Sequence, residues 1–261
     1  MDFEKNIKRS SELTLSIDDI YEKIVRGSYP ELYDKKGLRT NEFYSDYLDS
    51  YVSKDVSQII NLKDEIKFID FMELLASLTG QELVYNNIAN TIGVSLKTIQ
   101  SWVSVLVAGD IIHLLRPYSE RSTTKRIVRR PKIYFSDTGL ACHLAKVTDV
   151  KTLRAGYLRG PMVETFIVNE IIKSYENNRE NVGLFYYRDS GMNEIDLMIL
   201  KEGTISLIEC KSGITYDMSA VKAFGRLEKS DYEIGPSCLI CLTEKTYPLK
   251  EGVFVLPITA I

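Results

Sequence analysis

The chain has 261 residues, 44% of them apolar and 26% charged, and a formal net charge of −3. That size suits two domains, and the composition excludes fibrous and intrinsically disordered classes. No stretch approaches the ~18 consecutive apolar residues of a membrane span, and residues 1–16 lack the apolar core of a secretory signal. A cytoplasmic protein with no membrane partner is expected.

Charge is unevenly spread. Residues 1–70 carry −4 and residues 146–261 carry −2, while residues 71–145 set 8 basic against 5 acidic side chains, +3. Apolar residues recur at helical spacing over 12–26, where Gly27 is placed to stop the helix. Residues 27–40 read as a loop punctuated by Gly27, Pro30 and Gly37. Helical patterns follow at 41–60 and 64–78, closed by Gly80, so residues 1–80 form an acidic helical segment.

The pattern changes after residue 80. Residues 84–108 give a short helix, a turn at Gly93 and a second helix capped by Ser95, whose hydroxyl can accept an amide hydrogen bond of the first turn. Ala89, Ile92, Val94, Ile99, Val103 and Leu106 supply the small core between the two helices. DIIHLLRPY and PKIYFSD then read as strands joined by a basic loop. Across that loop and the start of the second strand, Arg121, Lys125, Arg126, Arg129, Arg130 and Lys132 fall in twelve positions. Two helices and a basic-tipped hairpin make the winged-helix plan, in which the second helix enters the major groove and the wing touches phosphates. Over residues 81–155 the candidate DNA contacts are Lys97, with Thr98, Gln100 and Ser101 beside it, and Arg126, Arg129 and Arg130 on the wing. The bland alternative is a packing or protein-contact module, since Lys97 is the one cation on the second helix.

Residues 137–159 read as a short helix and a linker, and a domain boundary is expected near residue 155. Residues 156–261 then run α-β-β-β-α-β, with FVLPI as a further edge strand. In ISLIECKS, Glu209 and Lys211 lie two apart on a strand and so share a face. Asp196 lies early in the preceding strand, within reach of Glu209 across the ~5 Å strand spacing, and Glu194 shares its face. Glu164 stacks at helical spacing with Ile167, Val168, Ile171 and Tyr175, so this acid lies on the inward stripe of its helix. A Mg²⁺ ion takes hard carboxylate oxygens together with water and phosphate. Asp196, Glu209 and Glu164 supply such ligands, and Lys211 supplies a base or a neutraliser of phosphate charge. Against this, a Glu and a Lys two apart on a strand are often an exposed ion pair, and an acid in a helix first turn favours the macrodipole without any function. Cys238 and Cys241 form a C-x-x-C inside an apolar strand, and buried core cysteines are expected there rather than a zinc or redox pair.

The arrangement of Asp196 with Glu209-Cys210-Lys211 resembles the PD-(D/E)XK nuclease superfamily, with Ile195 where the named pattern has proline. RGSYPELY and FYSDYLDSYVSKDV at 26–56, PKIYFSDTGLACHL at 131–144, LRGPMVETFIVNEI at 158–171 and YYRDSGMNEIDLMI at 186–199 resemble the carboxyl-terminal part of AAA-type ATPases that carry a DUF4143 region. The resemblance implies an α/β (α+β) chain: a helical segment akin to an ATPase lid or linker, a winged helix-turn-helix, and a restriction-endonuclease-like domain. It also implies DNA as a partner and a second protein chain supplying an ATPase core. The chain has no G-x-x-x-x-G-K-[ST], so an ATP site of that kind and ATP hydrolysis are not expected of it. Two functions stay open: a Mg²⁺-dependent nuclease, and a non-catalytic DNA- or protein-binding regulatory module.

Overall fold

The computed structural model describes residues 15–35, 37–56, 64–119, 130–227 and 230–261. The chain is a mixed α/β protein of two compact units, one formed by 18–114 with 133–162 and the other by 115–132 with 163–261.

In the first unit the helices are α1 (Ile17–Arg26), α2 (Pro30–Asp34), α3 (Thr40–Ser50), α4 (Glu65–Ser77), α5 (Tyr85–Ile92) and α6 (Leu96–Ala108). After α6 come strands β1 (Ile112–Pro117) and β2 (Lys132–Phe135), then α7 (Thr138–Leu144) and α8 (Val150–Ala155). α3 runs on into a wider π-helical turn, Tyr51–Val56. α2 forms inside the predicted loop, because Pro30 at its first turn presets φ and gives up a donor the helix does not need. α8 forms where a linker was expected, nucleated by Asp149, whose carboxylate accepts from Thr152 N at 2.8 Å. α5 and α6 meet at 108° across Gly93, which takes the left-handed conformation at φ 71°. Ser95 caps α6, accepting from Thr98 N at 3.1 Å. Ile99, Trp102, Val103, Val105 and Leu106 face inward, and Trp102 packs edge-on against Phe68 of α4.

Asp137 organises the polar interior of this unit. It is 6% exposed and accepts from Ser28 N (2.6 Å), Ser28 Oγ (2.9 Å), Tyr44 Oη (2.6 Å) and Leu140 N (2.7 Å). Burial, then the Asp137 carboxylate, pushes the Tyr44 phenol well above its ordinary pKa. Gly27 is required here: φ is +82°, and a Cβ would lie 2.0 Å from Tyr44 Oη.

The second unit is a mixed sheet. Its helix α9 (Arg159–Asn177) begins in the first unit's last residues, and its strands are β3 (Gly183–Arg188), β4 (Glu194–Lys201), β5 (Thr204–Cys210), β6 (Glu233–Ile234), β7 (Ser237–Cys241), β8 (Tyr247–Lys250) and β9 (Val253–Pro257). The order β3-β4-β5-β7-β9-β8 is antiparallel from β3 to β5, parallel through β7 and β9, and antiparallel again at β8. Arg116 and Pro117 of β1 lie parallel beside Phe185 and Tyr186. β4, β5 and β7 read as near-continuous apolar runs because both their faces are buried. The element after β5 is a 3-10 segment, Met218–Leu227, whose Val221, Phe224 and Leu227 pack with Ile195, Leu207, Leu239 and Val255. FVLPI is β9, an inner strand between β7 and β8 instead of an edge, because YPLK supplies the true edge with its alternating exposure. Cys238 and Cys241 are buried free thiols within β7.

Candidate functional site

The pleat of β4 puts Glu194 and Asp196 on one face. The register that sets Leu197 opposite Ile208 places Asp196 across from Glu209. On α9, Glu164 lies between buried Val163 and Ile167 with its side chain 17% exposed. No acid occupies the first turn of α9, so the macrodipole does not account for Glu164. Four of the predicted site residues therefore belong to one unit, and three elements bring them to one end of the sheet.

What joins them is Lys132, the first residue of β2. Its ammonium lies 2.5 Å from Glu194 Oε1, 2.9 Å from Glu164 Oε1 and 3.3 Å from Asp196 Oδ1, with the side chain only 3% exposed. The ring of Tyr186 stands 5.7 Å from the same nitrogen. The second Glu194 oxygen reaches Arg188 Nε at 3.7 Å. Asp196 Oδ2 accepts from Cys210 N at 2.9 Å, which ties β4 to the end of β5. Sequence reasoning missed Lys132 by counting it with the basic loop. The signal was there: a lysine followed directly by buried Ile133, Tyr134 and Phe135 needs an acidic partner, because an unpaired buried charge is very costly.

Glu209 and Lys211 form an ion pair on the same face, as their spacing predicts. Lys211 is partly exposed; its burial opposes the charge, but the Glu209 carboxylate outweighs that and raises its pKa. Glu209 is 7% exposed, and its Oε2 is buried with no hydrogen-bond partner among the described residues. Burial, then the neighbouring Asp196 carboxylate, lifts the Glu209 pKa to about 8 against the opposing pull of Lys211. The Cys210 thiol is also pushed up by burial, so it is no nucleophile at neutral pH. Among the described residues, no group of three or more His, Cys, Asp or Glu side chains is placed to hold a metal ion.

Of the predicted nucleic-acid contacts, Lys97 belongs to α6 and Arg130 precedes β2. Lys97, Gln100 and Ser101 are exposed along α6, joined by Ser104, while Thr98 is half-buried. Arg130 is exposed, and its carbonyl accepts from Tyr186 Oη at 2.6 Å. Arg126 and Arg129 lie outside the described residues.

Residues 17–151 match the family described as "Domain of unknown function (DUF8612)", and residues 159–261 match "Domain of unknown function (DUF4143)". The chain is 23% identical over 234 residues to the uncharacterized protein Rv2008c of Mycobacterium tuberculosis and to the uncharacterized protein Mb2031c of Mycobacterium bovis. These matches cover 89% of this chain and 51% of the relatives, so the chain spans about half the length of the curated relatives it matches. Among solved structures, protein VC1899 of Vibrio cholerae aligns over 94% of this chain and 58% of its own, at 12% identity and a TM-score of 0.27, too slight a likeness to indicate a common fold.

Proposed function

We propose, for a chain that belongs to the DUF8612 family and carries a DUF4143 domain, that it is a nucleic-acid-contacting regulatory module whose nuclease-like site is a fixed ion-pair cluster and does not cleave. One observation carries this choice over the nuclease. The space that Glu164, Glu194 and Asp196 share is held by the buried ammonium of Lys132. The donors are hard oxygens of the type Mg²⁺ takes, yet they already spend lone pairs on a cation tethered to the chain. As arranged, these residues do not fit a divalent ion, and no step of phosphodiester cleavage is assigned to them.

Nucleic-acid contact is supported by the winged-helix order of α5, α6, β1 and β2. The outer face of α6 offers Lys97, Gln100, Ser101 and Ser104, and the helix contains no acid to repel phosphate. Arg130 adds an exposed cation at the base of the basic loop. Phosphate neutralisation dominates such binding, so its strength must fall with salt. Replacing Lys97 or Arg130 by Ala should each lower the slope of log affinity against log salt by about one. For each residue, an unchanged slope in fluorescence-anisotropy titrations of a DNA duplex would remove that residue from nucleic-acid contact.

The second reading, metal-dependent cleavage, draws on the Oε2 of Glu209 beside Asp196, which is buried with no hydrogen-bond partner among the described residues. It requires plasmid or single-stranded DNA to be cut in Mg²⁺ or Mn²⁺, with the cutting lost in Lys211→Ala and Asp196→Asn.

A further inference from the structure

We infer that Lys132 is the resident cation of the carboxylate cluster and the residue that keeps divalent ions out of it, so that removing its charge converts the cluster into a divalent-cation site. The inference deepens the non-cleaving reading of the site and rests on it.

Three carboxylates from two elements converge on one ammonium at 2.5, 2.9 and 3.3 Å. Their side chains are 30%, 17% and 9% exposed, and that of Lys132 is 3% exposed, so the charges interact where water screens them little. A free ion could enter only by displacing this ammonium, which is covalently fixed and present at high effective concentration. Displacement would also leave the ammonium buried without its partners, a heavy penalty.

Glu209 adjoins the cluster across the β4–β5 register. Its side chain is 9% exposed, and Oε2 has no hydrogen-bond partner among the described residues. Among the described residues, Glu164, Glu194 and Asp196 share the Lys132 ammonium, Glu194 also reaches Arg188, and Glu209 pairs with Lys211. Lys132→Met keeps an unbranched apolar stem, one atom shorter, while deleting the charge. It removes the cation that Glu164, Glu194 and Asp196 share, in a setting of hard oxygens that a divalent ion suits.

The test is Mn²⁺ titration calorimetry on the full chain, in the wild-type protein, Lys132→Met, and Lys132→Met combined with Asp196→Asn. The wild-type protein should show no saturable Mn²⁺ site. Lys132→Met should gain one, at least about tenfold tighter than anything the wild type shows, and the added Asp196→Asn should abolish it. Mn²⁺ should correspondingly raise the melting temperature of Lys132→Met and leave the wild type unmoved. A wild-type protein that binds Mn²⁺ as tightly as Lys132→Met overturns the inference, and so does a folded Lys132→Met that gains no site. Should Lys132→Met fail to fold, the ammonium resonance of Lys132 in the wild-type protein decides. It should hold its position through a Mg²⁺ titration, and displacement by Mg²⁺ overturns the inference. DNA affinity is read separately: its absence sinks the proposed function and leaves Lys132 untouched, whereas Mn²⁺ binding by the wild type sinks the role of Lys132 and leaves DNA contact standing.

Discussion

Glu209 ties the chemistry of the site to the stability of the protein. Its carboxyl has an ordinary value of 4.5 and a folded value of about 8, so the folded state holds this proton more tightly than the unfolded chain does. Between those values the folded state binds more protons, and its stability must decline as pH rises through the window. The melting temperature should therefore fall by several degrees from pH 5 to pH 8.5 on account of this group. Glu209→Gln, which mimics the protonated form, should flatten that dependence in a pH series of thermal melts; an unchanged slope would show that Glu209 is ionised throughout. Asp137 gives a second residue-scale expectation. It accepts four hydrogen bonds in a buried setting, and Asp137→Ala should destabilise the protein by about 3 kcal/mol in urea unfolding, through stranded donors and a lost helix cap. A loss below about 1 kcal/mol would mean that the donors find other partners. Residues with local signatures were legible in the sequence: Glu209 and Lys211 by strand spacing, Glu164 by its place on an apolar stripe. Lys132 was not, because its partners Glu164 and Asp196 lie 32 and 64 residues away. Nor was the role of Asp137, whose contacts to Ser28 and Tyr44 span 109 and 93 residues.

At the scale of elements, periodicity found most of what punctuation bounded. α5 and α6 emerge as their pattern predicts, with Gly93 at the left-handed turn and Ser95 capping the second helix. Ser95→Ala should cost about 1 kcal/mol in urea unfolding, since the cap satisfies an otherwise orphaned amide of an exposed helix end. No measurable loss would show that water replaces the hydroxyl. The reading faltered where tertiary contacts override local preference. The pattern over 41–60 predicts one regular helix, whereas α3 gives way to a π-helical turn from Tyr51, because a widened turn has no composition signal of its own. The placement of β9 went astray for a related reason: an apolar five-residue run says that a strand is buried but not which strands flank it. YPLK, with a proline and alternating exposure, carried the edge signature all along.

On the scale of the whole molecule, the two compact units are interleaved in sequence. Residues 115–132 belong with 163–261, and residues 133–162 with 18–114. Composition shifts cannot reveal such an exchange, because they register only neighbours along the chain. The consequence for function is that Lys132, at the far end of the basic loop, belongs to the unit holding the carboxylates. The acidic balance of residues 146–261 fits a site that neutralises itself internally instead of gripping phosphate. Among the described residues no single helix is long and apolar enough to cross a membrane.

The central claim, contact without cleavage, is tested most directly by incubating end-labelled duplex DNA with the full chain at low salt. Mg²⁺ and EDTA reactions would be split between native and denaturing gels. The account predicts a mobility shift that weakens with salt, together with intact strands in both reactions. Strand scission in Mg²⁺ that disappears in EDTA and in Lys211→Ala would contradict it, as would DNA that stays unshifted at low salt.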